Sequence, residues 1–370
     1  MTWPMYDFLI VGSGLFGSVF ANEAKRCGKK CLVIDKRSHV AGNVYTKRES
    51  GIHVHQYGPH IFNTNSKKIW DYVNQFAEFN NFTYSPVANY QDQLFSLPFN
   101  MWTFNQLWGC TTPHQAMIKI QSQRVDISNP SNLEEWALST VGTDIYEKLI
   151  YGYTKKQWMK EPSALPVSII KRIPVRFTYN NDYYNSRYSG IPIGGYTQII
   201  EKMLDGVEVQ LGIDFFSDKI RLEKLCKNVV YTGKIDELFE FKLGELEYRS
   251  LEFKKRHLQT SDYQGVAGMN FTDESVPYTR IVEHKHFQNL GASSTIITKE
   301  FPVAWDRSKE SYYPINDATN ADIYKRYKSL SLSNKKYILG GRLAEYRYYN
   351  MDQVIASSLV KAKNFFGEAK

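Results

Sequence analysis

The segment from residue 6 to residue 35, YDFLIVGSGLFGSVFANEAKRCGKKCLVID, decides the fold of this chain. Its apolar run Tyr6–Val11 predicts a buried strand, and Ser18–Cys27 predicts a helix that Gly28 ends. A second apolar run, Cys31–Ile34, predicts another buried strand, which Asp35 closes. Because a strand, a helix and a second strand in this order form a parallel pair, the segment predicts a β-α-β unit.

The turn between the first strand and the helix carries Gly12, Gly14 and Gly17 in the spacing GxGxxG, and Asp35 follows about 20 residues later. Gly12 allows a tight turn, Gly14 lets the backbone approach a pyrophosphate, and Gly17 lets helix and strand pack closely. The helix N-terminus attracts the anion, and Asp35 can accept hydrogen bonds from a ribose diol. This context predicts a dinucleotide cofactor; a glycine-rich turn without a cofactor is the alternative.

Two further segments favour FAD over NAD. The stretch from Asp35 to Asn43 resembles the flavoprotein segment after the second strand, although Ala41 stands where many such proteins have Gly. Gly340-Gly341-Arg342 resembles a second flavin contact, where a helix N-terminus could stabilise a reduced, anionic flavin. The residues predicted to contact FAD are Gly12, Gly14, Phe16, Gly17, Asp35, Lys36, Gly42, Asn43, Gly341, Arg342 and Met351.

Composition and charge limit the classes of protein that the chain can represent. It has 370 residues, 42% hydrophobic and 23% charged, which excludes disorder and predicts two or three globular domains. The net charge is +8, but the basic residues are scattered, with no run longer than residues 254–256, which favours a small anionic ligand over nucleic acid. Four cysteines without a CxxC pair predict a reduced, cytoplasmic compartment and no metal site. No apolar run reaches a transmembrane length, so no membrane partner is expected.

The order of the predicted elements indicates an α/β fold in which a Rossmann-like FAD-binding domain is interrupted twice. Helical patterns dominate from about residue 65 to residue 171, and Asn132 is a predicted helix cap. Alternating patterns after Gly233 predict antiparallel strands. The predicted domains are the discontinuous FAD-binding domain, 1–78, 191–235 and 315–370; an inserted helical domain, 79–172; and an antiparallel β-sheet domain, 173–190 and 236–314.

From end to end, the sequence resembles the bacterial UDP-galactopyranose mutase family. The resemblance rests on ordered segments that match in sequence and in position along the chain. They are VGSGLFGSVFANE (11–23), YGPHIF (57–62), SLPFNMWTF (96–104), GYTKKQW (152–158), IIKRIPVRFT (169–178), IPIGGYTQIIEKML (191–204), LEYRSL (246–251), VPYTRIVEHKHF (276–287), SYYPIND (311–317) and LGGRLAEYRYYNM (339–351).

This resemblance implies an isomerase of the intramolecular-transferase type that interconverts UDP-galactopyranose and UDP-galactofuranose. In the family, N5 of reduced FAD attacks the anomeric carbon as UDP leaves, which is covalent catalysis by a cofactor. The resemblance also implies an external reductant such as NADPH, a homodimer, and a role in supplying galactofuranose for cell-surface polysaccharide.

The family's site residues carry over to matching positions of this chain. Arg172 and Arg280 match the phosphate-binding arginines and, with His60 near the flavin, form the predicted catalytic set. Each assignment has an alternative. His60 could be a structural histidine, the arginines could form surface salt bridges, and the tyrosines could be packed aromatic rings. The predicted substrate-binding residues are Tyr153, which matches the ring on uracil, its neighbours Thr154 and Trp158, the phosphate-contacting Tyr183, Tyr313 and Tyr348, and Arg172, Asn270 and Arg280. The family also has a mobile loop at about 157–171.

Three positions near the sugar or flavin depart from the family's usual residue. Asn63 replaces His, Tyr84 replaces Asn, and Asn350 replaces Asp. Drift at the pocket edge is one explanation, and an altered sugar or nucleotide is the other. UDP-galactopyranose is therefore the first predicted substrate, with dTDP-fucopyranose as the alternative and UDP-N-acetylgalactosamine ranked lower. A flavin oxidase and a non-catalytic nucleotide-sugar binding protein are competing classes.

Overall fold

The computed structural model describes residues 5–170, 173–288 and 291–367. The strands are β1 (Tyr6–Val11), β2 (Cys31–Asp35), β3 (Thr46–Glu49), β4 (Ile52–His55), β5 (Phe62–Thr64), β6 (Val87–Tyr90), β7 (Gln93–Ser96), β8 (Tyr188–Gly190), β9 (Glu208–Leu211), β10 (Cys226–Tyr231), β11 (Tyr248–Leu258), β12 (Gly268–Phe271), β13 (Arg280–Glu283), β14 (Thr295–Ala304), β15 (Tyr313–Pro314) and β16 (Tyr337–Leu339).

The α-helices are α1 (Leu15–Arg26), α2 (Lys67–Asn74), α3 (Met101–Trp108), α4 (Pro113–Gln123), α5 (Leu133–Thr140), α6 (Thr143–Ile145), α7 (Gly152–Trp158), α8 (Thr197–Leu204), α9 (Lys219–Lys224), α10 (Ile235–Leu238), α11 (Ala318–Leu332), α12 (Gly341–Ala344) and α13 (Met351–Phe366). A π-helical stretch, Tyr146–Tyr151, joins α6 to α7. Single turns of 3-10 helix lie at Gly42–Val44, Pro162–Ala164, Val167–Ile169, Phe215–Asp218 and His284–Phe287.

A five-stranded parallel sheet confirms the predicted β-α-β unit. Its strand order is β16-β10-β1-β2-β9, and β1 covers the predicted range Tyr6–Val11. Phe8 and Ile10 pack under α1, α8 and α13, while Leu9 packs on the opposite face. Because both faces of the sheet are covered, its strands are continuous apolar runs, as the sequence indicated.

The second sheet has seven strands in the order β15-β11-β14-β13-β12-β6-β7. Its neighbours pair antiparallel except β12 and β6, which are parallel. Two small pairs, β3–β4 and β5–β8, complete the sheets within the described residues. The confirmed fold class is therefore α/β with a Rossmann-like parallel sheet and an antiparallel sheet.

Helices α3 to α7 all lie within the range 79–172, and the predicted cap at Asn132 is confirmed, since its Oδ1 accepts a hydrogen bond from the backbone N–H of Glu135. The range also contains two strands that the sequence did not predict, β6 and β7, which join the seven-stranded sheet. Ala88 and Phe95 on these strands are buried against the helices, so the helical layer packs on these two strands. The domain bounds themselves stay predictions.

Two elements lacked a clear signal in the sequence. Strand β10 lies beside β1 at the centre of the parallel sheet, yet its apolar run is short and follows Lys227 and Asn228. Helix α11 has Asn320, Tyr327 and Ser331 as its buried residues, so the apolar stripe that marks a helix is missing. None of the helices in the described part of the chain is long and apolar enough to cross a membrane.

Helix α7 is attached to the loop between β12 and β13 by the partly buried ammonium group of Lys156. Its Nζ donates to the backbone carbonyl oxygens of Phe271, Asp273, Val276 and Tyr278 at 2.8, 2.6, 2.9 and 3.1 Å. The lysine therefore supplies a shared donor to four backbone acceptors of this loop. The contact fixes α7, which carries several predicted substrate residues, to the seven-stranded sheet.

We expect Lys156→Met to lower the free energy of unfolding by about 2 kcal/mol or more, because buried carbonyl oxygens lose a charged donor. The control is Lys155→Met, whose ammonium group is partly exposed and pairs with Glu161, and its effect should stay within about 1 kcal/mol. Urea unfolding followed by circular dichroism measures both. Equal destabilisation by the two variants would contradict the structural role of Lys156.

Candidate functional site

A cleft of about 340 Å³ opens at the carboxyl edge of the parallel sheet. Ligands of open parallel sheets bind at this edge. The cleft brings together every residue that the sequence predicted for FAD, and His60 as well. The predicted residues in its lining are Gly12, Gly14, Phe16, Gly17, Asp35, Lys36, Gly42, Asn43, Gly341, Arg342 and Met351.

Glycines give the cleft a wall of bare backbone. A Cβ on Gly42 would lie 2.9 Å from the Cα of Gly14, so side chains at this pair would close the slot. Gly14 is also the N-cap of α1, and no side chain of the described residues caps that helix. The free N–H groups and the positive end of the helix dipole therefore face the cleft, an arrangement that fits a pyrophosphate.

Asp35 ties the glycine turn to the end of β2. Its Oδ2 accepts hydrogen bonds from the backbone N–H and the hydroxyl of Ser13, at 2.8 and 2.6 Å, and its Oδ1 accepts from the N–H of Arg37 at 3.0 Å. A carboxylate can accept about four hydrogen bonds, so capacity for a ribose hydroxyl remains. Asp35 thus fits both a structural role and a cofactor contact.

His60 faces the cofactor cleft as a neutral ring. The pKa of His60 is lowered to about 4, chiefly by burial and in smaller part by the charge of Arg342, while the hydrogen bond to the backbone carbonyl of Gly58 opposes the shift. Its Nδ1 lies 2.9 Å from the carbonyl oxygen of Gly58, and this contact assigns the proton to Nδ1. The backbone N–H of His60 donates to Nδ1 of His55 at 3.1 Å. The Nε2 atom is therefore left as an acceptor.

Arg280 on β13 is partly buried, with its side chain 22% exposed, and it is held from several sides. Its Nε donates to Oδ1 of Asn270 at 2.9 Å, and its Nη2 donates to the hydroxyl of Tyr153 at 3.0 Å. Its Nη1 lies 3.6 Å from a carboxylate oxygen of Glu300. Three predicted substrate residues thus meet at one guanidinium group, whose remaining N–H groups are available to an anion.

Aromatic rings connect this arginine with the cofactor cleft. The rings of Tyr313 and Tyr348 lie 5.2 Å apart, and the guanidinium group of Arg342 lies 5.6 and 5.3 Å from their centroids. Burial raises the pKa of Tyr313, so its hydroxyl stays protonated and able to donate. Since Arg342 also lines the cofactor cleft, the two groups of predicted residues adjoin.

Tyr84 occupies space that a glycine leaves open. A Cβ on Gly268 would lie 2.3 Å from the hydroxyl of Tyr84, so the phenol fits because residue 268 has no side chain. The ring packs against Tyr183 and Tyr184, with centroids 5.6 and 6.3 Å away, and its buried hydroxyl has no hydrogen-bond partner among the described residues. The charge of Arg280 acts on this phenol, which places Tyr84 beside the guanidinium group.

The other departures lie at different places. Asn63 belongs to β5, where its Oδ1 accepts from the hydroxyl of Ser186 at 3.0 Å. Asn350 precedes α13 and lines a second cavity of about 470 Å³ together with Trp158 and Tyr348.

Thr154 is buried on α7. Arg172 lies outside the described residues.

Sequence reasoning missed several residues of these sites. Glu300 reaches Arg280 only through the pairing of β13 with β14, and Gly268 reaches Tyr84 across more than 180 positions of the chain. Glu310 lies in the cofactor cleft, where it forms ion pairs with Lys36 and Arg37 at 2.7 and 2.9 Å. No local pattern marks them; the segment SYYPIND begins one residue after Glu310.

Three acidic or histidine side chains outside these cavities, Asp262, Glu283 and His286, place possible metal-ligand atoms within 4.8 Å of one another. The ammonium group of Lys285 already lies 2.9 Å from Asp262. Glu283 accepts hydrogen bonds from the N–H groups of residues 263 and 264. The cluster is therefore explained as a structural ion-pair network.

Comparison with known proteins extends these observations. A family model described as UDP-galactopyranose mutase matches residues 148–348, and one described as an NAD(P)-binding Rossmann-like domain matches residues 10–76. The chain is 39% identical to a probable UDP-galactopyranose mutase of Klebsiella pneumoniae, over 97% of this chain and 94% of that protein. It is 35% identical to a dTDP-fucopyranose mutase of Escherichia coli, over 99% of this chain and 100% of that protein.

A solved structure of reduced UDP-galactopyranose mutase has the same fold, with a TM-score of 0.77 at 12% identity over 99% of this chain and 94% of that one. Fold and cleft define an enzyme whose Rossmann-like domain uses FAD as its cofactor. The family model spans more than half of the chain, and two relatives exceed 30% identity over nearly its full length. The chain belongs to the UDP-galactopyranose mutase family and is an isomerase, which confirms the resemblance seen in the sequence.

Gly14 and Gly17 offer a matched test of the cofactor cleft. A Cβ on Gly14 meets only the Cα of Gly42 at 3.8 Å, an ordinary contact, whereas a Cβ on Gly17 would lie 2.0 Å from the carbonyl oxygen of Gly12. Gly14→Ala should therefore fold normally but bind FAD at least about tenfold more weakly, because the methyl group occupies the pyrophosphate side of the turn. Gly17→Ala should lower the melting temperature as well.

Fluorescence titration of deflavinated protein with FAD and thermal unfolding measure the two effects separately. Unchanged FAD affinity in folded Gly14→Ala protein would show that the pyrophosphate does not approach this turn.

Proposed function

We propose that this enzyme interconverts the pyranose and furanose forms of a nucleotide-linked galactose-type sugar, with UDP-galactose as the first candidate. The observation that carries the proposal is the partly buried Arg280, which Asn270 and Tyr153 orient beside the ring cluster that adjoins the cofactor cleft. An oriented, partly unpaired guanidinium group next to a flavin site fits a diphosphate. The names of the relatives at 39% and 35% identity support a nucleotide sugar as the substrate.

FAD would be held with its pyrophosphate at Gly14 and the N-terminus of α1, and its ribose at Asp35. When bound and reduced, FAD supplies a nucleophilic nitrogen for the anomeric carbon, so net redox chemistry is not required. Gly341, Arg342 and His60 line the same cleft and would border the rest of the cofactor.

The chain's own contribution is to bind the diphosphate and to stabilise it as a leaving group. Negative charge grows on the diphosphate as the bond to the anomeric carbon breaks, and a guanidinium group fixed in a buried site stabilises that charge. Arg280 would serve this role, with Arg172 as a second arginine assigned from the sequence. The hydroxyls of Tyr183, Tyr313 and Tyr348 would donate to the phosphate oxygens.

Neutral His60 would act by holding a hydrogen bond rather than a charge. With its proton on Nδ1 engaged by Gly58, its Nε2 can accept a proton shared with the cofactor or the sugar. Tyr153 would contribute through its hydroxyl, which accepts from Arg280, in addition to the ring face that the sequence assigned to uracil.

A dTDP-linked 6-deoxy sugar is the second candidate, and a specific observation favours it. Tyr84 fills space near Arg280 with an aromatic ring, and its unpaired hydroxyl is buried against Gly268, so Tyr84 would present its ring and not a polar group to the sugar. An apolar wall of this kind accepts a methyl group where other sites bind a hydroxymethyl group. UDP-N-acetylgalactosamine ranks lower. The homodimer, the external reductant and the cytoplasmic location belong to this proposal as expectations.

Arg280→Ala should lower turnover by a factor on the order of 100 or more, because a preorganised donor to the leaving group is lost. The assay incubates dithionite-reduced enzyme anaerobically with UDP-galactopyranose and dTDP-fucopyranose and measures furanose products by chromatography. Arg256→Ala, on an exposed part of β11, is the control and should retain full activity. FAD content should be unchanged in both variants.

Turnover by the reduced enzyme without consumption of dithionite would distinguish a mutase from a flavin oxidase, and product formation would distinguish it from a binding protein. Near-normal rates for Arg280→Ala would contradict the role of this arginine, and equal rates for oxidised and reduced enzyme would contradict the role of the flavin.

The choice of sugar should depend on Asn63 and Tyr84. We expect the double variant Asn63→His with Tyr84→Asn to shift the ratio of kcat/KM for the two substrates toward UDP-galactopyranose, because the amide restores a polar group beside Arg280. The Glu252→Gln variant, on an exposed part of β11, is the control. A ratio that stays the same in the double variant would show that these positions do not determine the sugar.

A further inference from the structure

A row of side chains crosses the seven-stranded sheet through Arg280. Residues that are direct partners on neighbouring strands project from the same face. Asn270 pairs with Arg280, Arg280 with Glu300, and Glu300 with Phe253 across β12, β13, β14 and β11. The hydrogen bond from Arg280 to Asn270 and its approach to Glu300 follow from this register.

Glu300 is a buried carboxyl group whose carboxylate approaches Arg280 but accepts no hydrogen bond within the described residues. Its residue is 4% exposed, and its Oε2 lies 3.6 Å from Nη1 of Arg280. Its Oε1 is buried and has no hydrogen-bond partner among the described residues. It lies 3.1 Å from the position that a Cβ on Gly58 would take, with the ring of Phe253 beside it. A carboxylate in this setting depends on Arg280 for its compensation.

The groups that face Glu300 from the elements packed against it keep their charge states, so Glu300 is the group whose protonation can respond to a bound anion. Arg280 on β13 stays positive, and Phe253 on β11 has no charge. The pKa of Tyr313 on β15 is raised, and the pKa of His60, which follows Gly58, is lowered to about 4, so both stay neutral. Burial raises the pKa of Glu300, and Arg280 opposes this effect without reversing it.

We propose that Glu300 takes up a proton when the diphosphate of a nucleotide sugar binds to Arg280. The inference rests on the proposed function, which places the diphosphate at this guanidinium group. The ligand brings negative charge next to a carboxylate that shares the same cation, and two anions in a buried site do not both stay ionised without cost. The proton comes from solvent and ends on a carboxylate oxygen of Glu300, while Arg280 transfers its ion pair to the phosphate.

Calorimetric titration of the oxidised, FAD-loaded protein tests this coupling directly. The ligands are UDP-galactose and dTDP-fucose, because their diphosphates carry no proton that titrates near neutral pH, unlike the terminal phosphate of UDP. Titrations in buffers with different ionisation enthalpies, between about pH 5.5 and pH 8, give the number of protons taken up per ligand. We expect uptake approaching one proton, with Kd rising by up to about tenfold per pH unit where uptake is complete.

The variant Glu300→Gln keeps the shape of the protonated acid and removes the titrating group. It should bind the nucleotide sugar with no proton uptake and with a Kd that is nearly independent of pH. Glu252→Gln is the matched control, since this carboxylate lies on the neighbouring strand β11 and is exposed to solvent. It should show the same uptake as the unaltered protein.

The outcomes separate the proposed role of Glu300 from the proposed function of the enzyme. Binding without proton uptake in the unaltered protein, or uptake that persists in Glu300→Gln, overturns the role of Glu300 and leaves the proposed function standing. Failure of the unaltered protein to bind either nucleotide sugar overturns both. Should Glu300→Gln lose FAD or fold poorly, infrared difference spectroscopy of the unaltered protein replaces it: a protonated-carboxyl band must appear on ligand binding, and its absence overturns the proposal.

Discussion

The cofactor site depends on one constraint, the close approach of the backbone at Gly17 to the backbone at Gly12 in the turn after β1. Gly17 in the first turns of α1 lies so close to the carbonyl oxygen of Gly12 that any side chain there would displace the helix. This closeness aims the uncapped N-terminus of α1 into the cleft at the carboxyl edge of the sheet. Asp35 also fixes this turn, because its carboxylate accepts hydrogen bonds from the backbone N–H and the hydroxyl of Ser13. The same local geometry thus packs α1 closely against the turn after β1 and directs its N-terminus toward an anion.

Two partly buried cations, Lys156 and Arg280, show how the same charge serves different purposes. Lys156 is surrounded by backbone carbonyl oxygens, which use the full donor capacity of its ammonium group and make it a structural connection. Arg280 has five N–H donors but only two hydrogen bonds and one distant carboxylate among the described residues. Lys156 therefore fixes α7 and Tyr153, and Arg280 keeps capacity for a ligand. Lys156 thus connects the helical layer to the antiparallel sheet, and Arg280 on that sheet stays available to the ligand.

The sequence predicted the elements whose signals are local. The bounds of β1 agree with the structure, since an apolar run marks this strand, and the helix cap at Asn132 is confirmed because its signal is one residue. Strand β10 and helix α11 were missed, because one is short and the other is polar on most of its surface. The residues predicted for FAD lie together because they cluster in a few short segments around one turn. Those predicted for the substrate come from many strands and loops, and their assembly required the fold.

By itself, the sequence determined the α/β class, the FAD site at the end of β1 and the family, since each depends on short motifs whose geometry is encoded within a few residues. The tertiary structure decided what lies beside Arg280. Glu300 is placed there by the register of β13 and β14, and Tyr84 by the missing side chain of Gly268. Strand register and the filling of buried space are properties of residues distant along the chain, so no local pattern of the sequence specifies them.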